Sequence, residues 1–120
     1  VTRPRPILDA RSPESVTYAL EVHAERRLTQ RYDIPSSRAR EVMFHHIALT
    51  LADEGERVRC KGAKLGTKEF RLLNDGGTEF AFLYWPGAQR IITYLTPATM
   101  TDALHKAYIK HMRQRRKEQR

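Results

Sequence analysis

The chain reads as an α+β domain: two helices, then an antiparallel three- to four-stranded meander, then a basic C-terminal helix. Three observations predict this. Apolar residues recur at helical spacing up to about Leu51, and from Glu56 onward the apolar period changes to two. Between the period-two segments, Asn74-Asp75-Gly76-Gly77 and Pro86-Gly87-Ala88-Gln89 supply hairpin connections. The order helix, helix, strands, helix then implies helices laid on one face of a sheet. A chain of 120 residues is long enough for one modest core and too short for two domains. We read residues 1–11 as an extended arm, 12–97 as the α+β core and 98–120 as the terminal helix.

Ser12-Pro13-Glu14 is a good helix start, because Ser can cap, Pro tolerates the first helical position and an acid suits the positive helix end. The first helix runs from about Pro13 to Arg31 with an apolar stripe of Val16, Leu20, Ala24 and Leu28. Tyr32-Asp33-Ile34-Pro35 breaks it, since Pro35 disfavours helix in the residue before it. Ser36 or Ser37 caps the second helix; Val42, Met43, Ile47 and Leu51 form its buried face, and Asp53-Glu54-Gly55 ends it. His45 and His46 are adjacent, so at most one faces the core. Both read as structural or surface residues.

The strand segments are Arg57 to Lys61, Phe70 to Leu73, Thr78 to Trp85 and Arg90 to Thr96. Phe80, Phe82 and Trp85 are assigned to packing. Pro97 ends the series, Thr99 or Thr101 caps the last helix with Asp102 in support, and Leu104, Ala107, Tyr108 and Met112 give that helix a thin apolar face. There are no internal repeats and no low-complexity tracts.

Composition excludes several function classes. No apolar run approaches the roughly 20 residues that span a bilayer, and the Arg-Pro-Arg-Pro start is not a signal peptide, so a soluble intracellular protein is expected. Cys60 is alone, which rules out an internal disulfide and a Cys-based metal set; neither His45-His46 nor His105 with His111 has zinc spacing backed by Cys. No metal or cofactor is expected. The loop Lys61 to Lys68 has glycines and lysines without the spacing of a phosphate-cradling loop, and no nucleophile-elbow motif is present.

Charge points toward a polyanion. The formal net charge is +8, and residues 105–120 carry seven cationic residues against Glu118 alone, leaving only +2 for the rest of the chain. Such a block attracts RNA, DNA or an anionic protein by steering and counterion release. Lys110, Arg113, Arg115 and Arg116 are its candidate contacts. On the sheet face left open to solvent, Arg57, Arg59, Lys61, Lys68, Arg71 and Arg90 would hold a nucleic-acid backbone, beside Tyr84 and Tyr94. Strict alternation lines up Tyr94 with Thr96, and sends Thr93 with Ile91 to the buried side.

The densest chemistry lies in residues 23–32, His-Ala-Glu-Arg-Arg-Leu-Thr-Gln-Arg-Tyr. At 100° per residue, Arg27 lies about 40° from His23, Arg31 about 80°, and Arg26 about 60° on the other side. All four can address one ligand. A proton-transfer group beside fixed positive charge suits phosphodiester chemistry, because the base handles a hydroxyl proton while guanidiniums stabilise charge on phosphate. In the alternative reading His23 is a packing residue at the border of the apolar stripe and the arginines are solvated.

The order of elements resembles the small microbial ribonuclease-toxin fold shared by barnase, EndoU, colicin nucleases and RelE. More locally, the run from His23 through Arg27 to Arg31-Tyr32, with Arg90-Ile91-Ile92-Thr93-Tyr94-Leu95-Thr96 closing the sheet, is similar to small proteins of bacteriophages and prophages. The likeness covers roughly residues 14 to 97. It implies metal-free RNA cleavage with His23 as general acid/base, Arg27 and Arg31 as phosphate clamps, and Tyr94 or Thr96 as a supporting hydrogen-bond group. The expected function is RNA binding, extending to RNA cleavage, by a toxin-type domain in the bacterial cytoplasm, with an antitoxin as one partner. The alternative is a non-enzymatic phage-type regulator that binds and inhibits a host protein or nucleoprotein complex. Duplex DNA binding by the last helix is disfavoured, because no helix-turn-helix pattern precedes it.

Overall fold

Helical spacing becomes two helices at the N-terminal end, α1 (Pro13–Tyr32) and α2 (Ser36–Leu51), and the period-two segments become four strands: β1 (Glu56–Val58), β2 (Glu69–Asp75), β3 (Thr78–Trp85) and β4 (Arg90–Leu95). A 3-10 turn, Pro97–Thr99, leads into α3 (Asp102–Glu118). The computed structural model describes the backbone of residues 13–119 and the side chains of residues 22–119. The expected arm, the Ser12 cap and the Val16 and Leu20 side chains of the first stripe lie outside the described residues.

The sheet is an antiparallel meander in the order β1-β2-β3-β4, so β1 and β4 are its two edges. Both of its faces are covered, contrary to the expectation of one open face. On one face, Leu73, Phe80, Phe82, Tyr84, Ile91 and Tyr94 pack with Ala24 and Leu28 of α1 and with Ala39, Met43 and Ile47 of α2. On the other, Val58, Phe70, Leu72, Ala81 and Leu95 pack with Leu104 and Ala107 of α3. Alternation produces this directly: in the register Phe70↔Leu83, Arg71↔Phe82, Leu72↔Ala81, Leu73↔Phe80, neighbouring residues go to opposite cores. A fully buried Leu or Phe contributes about 1.5–3 kcal/mol, so the α1/α2 core, with more and larger side chains, dominates stability. The thin face of α3 is helped by Arg115, which pairs with Glu56 of β1 and Glu79 of β3.

The α2 boundaries differ from expectation. Pro35 occupies the capping position and neither serine caps by its side chain. The buried face is Ala39, Met43, His46, Ile47 and Thr50, while Leu51 is 55% exposed. One residue is a 100° step, and Thr50 rather than Leu51 continues the i, i+3, i+4 stripe. Its hydroxyl donates back to the His46 carbonyl at 2.8 Å. Past the helix, Gly55 has φ +83, and a Cβ there would sit 2.6 Å from the Leu72 carbonyl oxygen; only glycine fits the entry to β1. That strand ends at Val58, well short of Lys61. At α3 the choice of cap resolves to Thr101, whose side chain accepts from the Leu104 N–H at 3.4 Å.

No helix among the described residues is long and apolar enough to cross a membrane.

Candidate functional site

Helix α1 packs against β4, the edge strand of the sheet. There the exposed His23 ring lies with Nε2 3.2 Å from the Thr93 Oγ1. Thr93 was expected on the buried side, and its actual place follows from an irregularity. The β3–β4 register shifts between Leu83 and Tyr84, from Leu83↔Thr93 to Tyr84↔Ile91, which inserts an extra residue into β4. Ile91 and Tyr94 both enter the α1/α2 core as a result, and Thr93 stays half-buried within reach of His23.

The three arginines of the segment have different surroundings: Arg31 reaches β4, whereas Arg26 lines a hollow with Ser36, Ala39 and Arg40 of α2. Arg31 Nη1 donates to the Tyr94 carbonyl at 2.6 Å, and Arg27 Nη1 donates to Gln30 Oε1 at 2.9 Å. Arg26 is exposed with no ion-pair partner among the described residues. Burial lowers the His23 pKa from its usual 6.5, and the charges of Arg27, Arg31 and Arg26 lower it further. His23 is therefore neutral at neutral pH and able to accept a proton. Tyr32 fixes the end of the helix: its hydroxyl donates to the Leu95 carbonyl and accepts from the Ala81 N–H. The scaffold under His23 is thus tied to two strands.

Two of the four residues expected in catalysis do other work. Tyr94 is fully buried, and its hydroxyl lies 2.9 Å from His46 Nδ1, so no ligand in solvent reaches it. Thr96 precedes the 3-10 turn, where its backbone N–H donates to Thr99 Oγ1 at 2.8 Å. Tyr84, placed by the sequence on a wet face, is buried at 4% exposure among the α1/α2 core residues.

The adjacent His45 and His46, read from sequence as structural or surface residues, form a second histidine network. His46 Nε2 is 3.0 Å from Asp75 Oδ2, and Asp75 Oδ1 is 3.8 Å from Nε2 of the exposed His45. Burial, with Tyr32 and Asp75 adding repulsion, pushes the Tyr94 phenol well above 10.0, so it stays protonated and donates to Nδ1. His46 is then the neutral tautomer with its proton on Nε2, donated to Asp75. Asp75 lines a cavity of about 700 Å³ together with His45, Glu79 and Arg115. His46 itself is sealed, and this network locks α2 to the β2–β3 hairpin.

The basic residues expected to bind nucleic acid divide into two groups. Arg71 is 8% exposed and is consumed by Glu69 and the Glu54 carbonyl. Arg115 is held by Glu56 and Glu79. Arg90 is half-buried at the start of β4. None of these presents a free charge to a ligand, and Arg31 is partly committed to Tyr94. Arg59, Lys61, Lys68, Lys110, Arg113 and Arg116 are exposed.

Three of them share a groove. Between α3 and the β1 edge, about 830 Å³ is bounded by Arg57, Arg59, Lys61, Lys106, Lys110 and His111, with Ala103 and Ala107 from the helix and Asp102 as the one acid. Arg57 turns toward Glu69, 3.7 Å away, and His111 toward Glu56, 3.4 Å away. Arg59, Lys61, Lys106 and Lys110 have no ion-pair partner among the described residues. Lys106 was not singled out from sequence. The signal was the i, i+4 spacing of Lys106 with Lys110 beside Ala103 and Ala107, which puts two long cations over two small residues on one helix face. Lys68 lies around a separate hollow of about 540 Å³ with Lys64 and Arg59.

Other chemistries find little support. Burial pushes the Cys60 thiol up, away from the thiolate a nucleophile needs. Among the described residues, no group of three or more His, Cys, Asp or Glu side chains could hold a metal ion. No protein-family model matches the chain, and comparison with curated proteins and with solved structures finds no match.

Proposed function

We propose that the chain is a metal-independent RNA-cleaving domain of the ribonuclease-toxin type, with His23 as its proton acceptor. The observation that carries this reading is the exposed His23 ring 3.2 Å from the Thr93 hydroxyl, with Arg27 and Arg31 following it at four-residue spacing on the same side of α1. In this reading, His23 takes the proton of an RNA 2′-hydroxyl. The 2′-oxygen forms a bond to the adjacent phosphorus, the bond from phosphorus to the 5′-oxygen breaks, and that leaving oxygen takes a proton from solvent at this open edge. The guanidiniums of Arg27 and Arg31 stabilise the charge on the non-bridging oxygens. Thr93 holds the imidazole in place and replaces Tyr94 and Thr96 in the supporting role. The bacterial cytoplasm, where RNA and an antitoxin would be met, is part of the same proposal.

The test is incubation of the purified chain with RNA in EDTA and analysis of the ends. The expected product carries a 2′,3′-cyclic phosphate, and RNA left intact overturns the reading. The alternative, a regulator that docks on a host protein, is favoured by one feature. Phe44, 41% exposed, and Leu51, 55% exposed, lie at i, i+7 on the outer side of α2. Capture of a host protein that survives nuclease treatment and is lost with Phe44→Ser/Leu51→Ser would support it.

A further inference from the structure

We propose that the groove between α3 and the β1 edge is a second RNA-binding site, holding single-stranded RNA outside the bond that is cleaved. It rests on the ribonuclease reading for its purpose, though its binding can be measured without turnover. The groove brings together four cations from separate parts of the chain: Arg59 and Lys61 after β1, and Lys106 and Lys110 one turn apart on α3. None is neutralised by a carboxylate among the described residues, unlike Arg71, paired with Glu69, and Arg115, paired with Glu56 and Glu79. A flexible single strand can enter the groove, place phosphates between the two pairs of cations and lay bases or sugars on the small Ala103 and Ala107.

The position of the groove gives it a separable role. It lies at β1 and His23 lies at β4, the opposite edges of the sheet, separated by three inter-strand spacings or about 14 Å. A dinucleotide at His23 cannot also occupy the groove. A long RNA can, so the groove acts on affinity for long substrates and leaves the chemical step alone.

The experiment uses the full chain carrying His23→Ala, to prevent turnover, and a labelled single-stranded RNA of about 20 nucleotides read by fluorescence anisotropy over a salt series. Arg59→Gln/Lys61→Gln/Lys106→Gln/Lys110→Gln is compared with Arg113→Gln/Arg116→Gln/Lys117→Gln, which removes exposed charge from α3 outside the groove. All seven residues are exposed, so folding should survive, as a thermal melt checks. The groove variant is expected to bind about 10-fold more weakly, with a log–log salt slope shallower by about 3, at roughly 0.7 per lost single-strand phosphate contact. Unchanged affinity and slope in the groove variant, or an equal loss in the tail variant, overturns the proposal. So does tighter binding of a duplex of the same sequence. In the His23 chain, the groove variant should raise KM for the long RNA and leave kcat on a dinucleotide unchanged. If no cleavage occurs in any chain, the ribonuclease reading fails while the anisotropy comparison still decides the groove.

Discussion

Adjacent residues of β4 serve two histidines in opposite ways. Thr93 meets His23 of α1 at the open edge of the sheet, and Tyr94 meets His46 of α2 inside the core. Burial lowers the pKa of both rings. At His23 the neighbouring arginines lower it further, whereas at His46 the hydrogen bond and charge of Asp75 pull it partly back. His23 is thereby an exposed ring whose pKa is held down by burial and by three nearby positive charges. His46 has both nitrogens satisfied and touches no solvent. The same residue type is exposed in one place and a structural lock in the other, and what separates them is which side of a single irregular strand they face.

The largest expected effect separates them by stability. His46→Ala leaves the buried Tyr94 hydroxyl without its partner, removes the 3.0 Å hydrogen bond to Asp75 and opens a void beneath α2, so it should cost about 3 kcal/mol, or roughly 12 °C in Tm for a chain of this size. Calorimetry would check it. A loss near zero would mean that the His46–Asp75 pair does not hold α2 to the β2–β3 hairpin.

Next is the dependence of stability on pH. A His46 pKa below the unfolded value of 6.5 means that the unfolded chain binds this proton first as pH falls. The stabilisation is fully present above pH 6.5 and declines from there toward the lowered folded-state value. Urea melts from pH 8 to pH 5 should show this decline, and His46→Ala should flatten it. An unchanged slope in that variant would assign the decline to other groups.

A smaller effect probes the open histidine. Arg27→Gln removes one of the charges that lower the His23 pKa, so the acidic limb of the cleavage pH–rate profile should move up toward 6.5. Stability should change by less than about 0.5 kcal/mol, because among the described residues Arg27 makes only a surface hydrogen bond to Gln30. A limb that stays in place would mean that the titrating group is not His23.

Much of the scaffold was legible in local pattern. The glycines of the two hairpins, the Pro35 break and the switch from helical to period-two spacing placed the two N-terminal helices, the meander and the final helix. The site was half legible. Spacing on α1 set His23, Arg27 and Arg31 on one side of the helix, because helical geometry is regular, whereas Arg26 lines the hollow toward α2. The sheet side failed at β4, where one extra residue reversed the parity that assigned Thr93 and Tyr94. The expected open face failed for a different reason: Leu104 and Ala107 are too few to announce a second core by pattern, and they acquire a partner only when Val58, Phe70 and Leu72 meet them in three dimensions. Likewise nothing local links His46 to Asp75, which lie 29 residues apart. Period-two reasoning also carried Arg59 and Lys61 onto a strand that ends at Val58, yet α3 gathers both into the groove.

The central claim is that His23 performs chemistry and His46 does not. Its most direct test measures RNA cleavage in EDTA together with Tm for the parent chain and for His23→Ala. We expect the substitution to abolish formation of 2′,3′-cyclic phosphate ends while Tm stays within about 2 °C, as for an exposed residue. Cyclic phosphate formed at the parental rate by His23→Ala would contradict the account.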